Sequence, residues 1–110
     1  MIVMHDEQVA LAVLGRHHDH IAAGGNIVPL VDDVRVDYGM DLMRAIRVVR
    51  LAYHHQQQRR CLARWIVDNY ADYIAGSRDR QSLARQVIRQ QRCGIMDVRA
   101  AIDMAYGLLT

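Results

Sequence analysis

The sequence predicts an all-α protein: four or five helices in a small bundle, with one long central helix or helix pair at about residues 41–75. Three observations carry that expectation. From Asp41 to Ala75 the chain runs 35 residues without a glycine or proline. Apolar residues before, within and after this stretch recur at steps of three and four, the spacing of one helix face. Breakers stand where the periodic segments stop, at Gly24-Gly25, Gly76-Ser77 and Cys93-Gly94. At 52% hydrophobic and 24% charged, the 110 residues have the composition of a folded chain and are read as one helical domain, 1–110.

Asp6 is read as the N-cap of the first helix, with Glu7 in the first turn, where a carboxylate meets the positive end of the helix dipole. Val9, Val13, Leu14, His17 and Ile21 then follow at helical spacing, and Gly24-Gly25 closes the segment. The stretch Asn26 to Tyr38 is ambiguous. Pro29 suits a helix start, whereas Val34-Arg35-Val36-Asp37-Tyr38 alternates as a strand does. A lone strand has no partner in this chain, so the stretch reads as a loop with one helical turn.

In the long segment Leu42, Ala45, Ile46, Val49, Ala52 and Tyr53 form one apolar stripe, and Leu62, Trp65, Ile66, Tyr70, Tyr73 and Ile74 form another. The polar run His54 to Arg60 separates them, so either two helices meet there or one runs through. A single helix of this length would extend about 52 Å at 1.5 Å per residue. A compact chain of this size has a radius of gyration of about 13 Å. Such a helix would leave a stripe uncovered, and a second copy of the chain would be needed to bury it. The expectation is a homodimer, with Leu42–Tyr53 or Leu62–Ile74 supplying part of the interface. After Gly76, Ser77 is read as the cap of a helix from Arg78 to Arg92. Asp97 is read as the cap of a last helix running to Leu108.

The charge is uneven. All 14 basic residues are arginine. Residues 1–40 carry Arg16 and Arg35 against six acids, a formal −4, while residues 41–110 carry twelve arginines against six aspartates, a formal +6. A guanidinium pairs in a fork with carboxylates and phosphates, so this clustering points to an acidic partner. Absence of lysine excludes Schiff-base and P-loop chemistry that depends on an amine. Ser77, Ser82, Thr110 and Glu7 are the only residues of their types, too few to suggest a nucleophile–base arrangement, and the chain is read as non-enzymatic with no cofactor. Cys61 and Cys93 have no CxxC spacing and read as thiols. No apolar run reaches membrane-spanning length and no signal peptide opens the chain, so no membrane and a cytoplasmic setting are expected.

Three candidate sites follow. Arg44, Arg47 and Arg50 step by three along one helix, and Arg85, Arg89 and Arg92 do much the same on the next; both faces would dock an acidic protein surface. The alternative is DNA binding by residues 78–108, with Arg78, Arg80, Arg85 and Arg99 as contacts. Its spacing departs from a helix-turn-helix, because Ala84 and Gly94 are ten residues apart and the last helix offers only Arg99 as a base reader. The third candidate is a metal site at His17 and His20, one helical turn apart, with His54 as a further ligand. No HExxH or Cys/His knuckle supports it. Short, helical, arginine-rich and poor in catalytic residues, the chain resembles in type the small regulatory proteins of phages and mobile elements. That likeness implies an inhibitor or regulator acting by contact.

Overall fold

The computed structural model describes residues 5–77 and 79–109. Among the described residues there are six helices and no strand: α1 Asp6–Arg16, α2 His18–Ala22, α3 Val28–Tyr38, α4 Leu42–Gly76, α5 Arg80–Gln91 and α6 Ile95–Leu109. The all-α class is as expected from sequence; the number of helices exceeds the four or five expected, for two local reasons. His17 leaves helical geometry (φ −115°, ψ 31°) and splits the first segment into α1 and α2. Residues 26–38, expected to be mostly loop, hold the helix α3, which starts on Pro29 in its first turn. A proline there loses no hydrogen bond, because the first amides of a helix have no partner in the helix. α3 ends on Gly39 in the left-handed region (φ 63°), a conformation that suits glycine.

The chain divides into two compact units, one ending at Gln56 and the other beginning at Gln57. The first comprises α1, α2, α3 and the early part of α4. Its core joins Val9, Val13 and Leu14 of α1, Ile21 of α2, Leu30, Val31 and Val34 of α3, and Ala45, Val48, Val49 and Ala52 of α4. Alanine and valine dominate the α4 contribution, and such short side chains let helices approach closely. Polar contacts hold the margins of this core. Tyr53 donates its hydroxyl to the Gly25 carbonyl at 2.6 Å, and Arg44 Nε donates to Asp6 at 2.9 Å. His55, 6% exposed, lies with Nε2 3.1 Å from Glu7. Arg16 and Asp37 pair at 2.8 Å on the surface.

The second unit comprises the rest of α4 with α5 and α6. Leu62, Ala63, Ile66 and Ile74 pack with Leu83, Ala84 and Val87 of α5 and with Val98, Ala101, Ile102 and Ala105 of α6. Inside it Arg59 Nε donates to Asp97 at 2.7 Å, with side chains only 13% and 10% exposed. Tyr106 donates its hydroxyl to the Ser77 carbonyl at 2.9 Å, and Tyr73 donates to the Asp79 carbonyl at 2.8 Å.

α4 is one helical element through the polar run His54–Arg60, and its only break in helical geometry is at Tyr70 (φ −131°, ψ 22°). Glutamine and arginine are good helix formers, so polarity there marks no loop. Much of the apolar stripes expected to seek a second chain is covered within the two units, with Ala45, Val49 and Ala52 buried in the first and Leu62, Ile66 and Ile74 in the second, while Leu42 stays 47% exposed.

Helix starts also differ from expectation. Asp6 is the first residue of α1 and not its cap; His5 caps it, its backbone amide donating to Gln8 Oε1 at 3.1 Å. α5 is capped by Asp79, not Ser77, and Asp79 accepts from both the backbone and the hydroxyl of Ser82. Asp97 lies inside the first turn of α6, which starts at Ile95. Its carboxylate is turned to Arg59. No helix among the described residues is long and apolar enough to cross a membrane.

Candidate protein-docking surface

α5 presents two faces because its sequence alternates by thirds and fourths. Leu83, Ala84 and Val87 turn inward, and Arg85, Arg89 and Arg92 remain exposed on the other side. The helix stops because Arg92 itself takes the left-handed conformation (φ 50°), its amide still bonded to the Ile88 carbonyl at 3.1 Å. None of Arg85, Arg89 and Arg92 forms an ion pair among the described residues. Their steps of four and three place them along one edge of α5. Arg85 adds a small electrostatic pull on Asp79, whose carboxyl titrates below its ordinary value chiefly through its hydrogen bonds from the Ser82 side chain and backbone.

The other arginines divide sharply. Arg47 and Arg50 are exposed on α4 and also form no ion pair among the described residues. Arg44 is different: its guanidinium is drawn to Asp6, while Asp41, three residues before it, accepts the Arg44 backbone amide at 2.8 Å, capping α4. Of the four residues set aside for nucleic acid, Arg78 lies outside the described residues. Arg80 pairs with Asp103 at 2.5 Å and lies 4.5 Å over the Tyr106 ring, while Arg85 and Arg99 are exposed. α6 brings Asp103 as well as Arg99 to its outer side.

Between α5 and α6 lies an open groove of about 620 Å³. Ala84, Ile88, Ile95 and Ile102 line its floor, and Arg85 and Arg99 stand on its walls with the Arg80–Asp103 pair. The sequence sets Arg85 beside Arg89 and Arg92 for a protein partner and beside Arg99 for nucleic acid, but gives no sign of the aliphatic trough that lies between Arg85 and Arg99. The lining residues come together through the turn Arg92–Gly94; the Cys93-Gly94 breaker marks that turn in the sequence, but not how α5 and α6 pack across it.

The histidines do not assemble. His20 Nε2 lies 2.7 Å from the Asn26 carbonyl, His17 is 3.9 Å from Asp33, and His54 is exposed on α4. Among the described residues no three potential ligands stand together as a metal would require. Both serines have structural partners: Ser77 Oγ accepts from the Asp79 amide at 3.1 Å, and the Ser82 hydroxyl donates to Asp79 at 2.7 Å. Compared with known protein families, curated proteins and solved structures, the chain matches none.

Proposed function

We propose that this chain is a non-enzymatic regulator that docks on an acidic surface of a protein partner, chiefly through Arg85 and Arg89 of α5 and Arg92 at its end. Arg47 and Arg50 form a second, separate basic face, and Arg44 serves the fold through Asp6. One observation carries the reading. The chain spends carboxylates on Arg16, Arg44, Arg59 and Arg80, yet leaves three neighbouring guanidiniums on α5 exposed without an ion pair among the described residues. Uncompensated arginines on a rigid helix are suited to desolvated pairing with carboxylates, and arginine is among the residues whose truncation costs an interface most.

Affinity purification from the native host, with and without nuclease, finds the partner. Arg85→Ala with Arg89→Ala should then weaken binding by about tenfold or more while thermal unfolding stays nearly unchanged. Equal loss of stability would assign these residues to the fold and end the proposal. Self-association is a separate expectation, and sedimentation equilibrium tests it. A nucleic-acid reading draws support from α5 and α6 being joined by the three-residue turn Arg92–Gly94. It requires affinity for DNA that falls steeply as salt rises; absence of binding at low salt removes it.

A further inference from the structure

We infer that the α5–α6 groove seats an acidic amphipathic helix of the protein partner, laid apolar side down with carboxylates against Arg85 and Arg99. The inference rests on the docking function proposed above and adds the place and the form of the partner. The groove floor is aliphatic, and one of its residues, Ile95, is 50% exposed at the very start of α6. Aliphatic floor between two helices is the surface that an amphipathic helix covers. Charge complementarity sets the sign. Arg80 is already neutralised by Asp103 and held over Tyr106, so the net charge of the walls comes from Arg85 on one helix and Arg99 on the other. An incoming helix with carboxylates on both flanks of an apolar stripe meets both.

Size agrees. The lining runs from Arg80 to Ile88 on α5 and from Ile95 to Asp103 on α6. At 1.5 Å per residue that is about 12 Å, or roughly two turns, enough for anchors at positions i and i+4 of the guest. A phosphate backbone would leave the aliphatic lining of Ala84, Ile88, Ile95 and Ile102 unused. Two guanidiniums on facing helices bracket an aliphatic trough, the arrangement that a carboxylate-flanked apolar helix would meet.

The test uses the full chain and a defined probe: a blocked 16-residue helical peptide with leucines on one stripe and glutamates on both flanks. Amide chemical shifts locate the probe and calorimetry measures its affinity. Saturable binding with shifts at Ile88, Ile95, Arg99 and Ile102 is expected. A peptide of scrambled order, and one with lysine in place of glutamate, should each bind at least about tenfold more weakly. Ile95→Glu places a carboxylate at an exposed position in the first turn of α6, where it suits the helix dipole, and should reduce binding as much as Arg85→Glu with Arg99→Glu. No binding at millimolar probe, equal binding of the scrambled peptide, or shifts centred on Arg47 and Arg50 would each overturn the inference. The natural partner separates the two levels of the argument. If Arg85→Ala with Arg89→Ala abolishes its binding but Ile95→Glu does not, the groove is not the seat and the docking function stands; if neither matters, both fall.

Discussion

Removing one member of the Arg59–Asp97 pair should damage the second unit far more than removing both. The two side chains are 2.7 Å apart and 13% and 10% exposed. At an effective dielectric constant of about 20, unit charges at that separation attract by about 6 kcal/mol. Desolvation takes several kcal/mol from each ion, so the intact pair adds little net stability. A lone charge left in the same place keeps the desolvation cost and loses the attraction, at about 3 kcal/mol or more. Asp97→Leu is therefore expected to destabilise by about 3 kcal/mol, and Arg59→Met with Asp97→Leu to fall within about 1 kcal/mol of the parent. Urea unfolding followed by fluorescence reads this unit directly, because Trp65, the single tryptophan, packs against its core. A loss under about 1 kcal/mol for Asp97→Leu, or a double variant no better than the single one, would show that the pair is solvated and refute the reasoning.

The alkaline limb of stability should bear the mark of two phenols. Burial pushes Tyr53 and Tyr106 above the ordinary value of 10.0. Each is held neutral in the fold, so its contribution is complete below pH 10.0 and is lost as pH rises through the folded value. Tyr53→Phe and Tyr106→Phe should flatten that decline in unfolding series above pH 10.0, with Tyr53→Phe itself costing about 1 kcal/mol at neutral pH for the bond to Gly25. Ile66, fully buried in the second core, should lose about 3 kcal/mol on replacement by alanine, measured by the same tryptophan signal.

Much of the helical architecture was legible from periodicity, and the failures have identifiable causes. Val36 made residues 34–38 look like a strand, yet it is 83% exposed on α3, where Leu30, Val31 and Val34 form the buried side. An apolar residue that faces solvent mimics the alternation of a strand. At His54–Arg60 the error would have been the opposite one: a polar run suggested a junction, but His55 and Gln56 are buried within a continuous helix. Glycine, proline and strong breakers were the better guide there. The arginines show the sharper limit. Asp41 is the acid nearest to Arg44 along the helix, yet the guanidiniums of Arg44 and Arg59 each reach an aspartate 38 residues away. Which charges a fold neutralises depends on helix pairing, and spacing along one helix carries no record of it. The unpaired set on α5 was legible because exposure there follows from amphipathicity alone.

Arg92 joins two roles that respond to substitution with opposite sign. It ends α5 in a left-handed conformation that suits glycine and that a side chain holds at a cost of about 1 kcal/mol. It also stands last in the row of guanidiniums proposed to meet a partner. Replacing it with glycine should firm the corner while blunting recognition, so the melting temperature rises as affinity drops. If tighter folding does accompany weaker contact there, a demand from outside the chain accounts for a corner left less firm than glycine would make it.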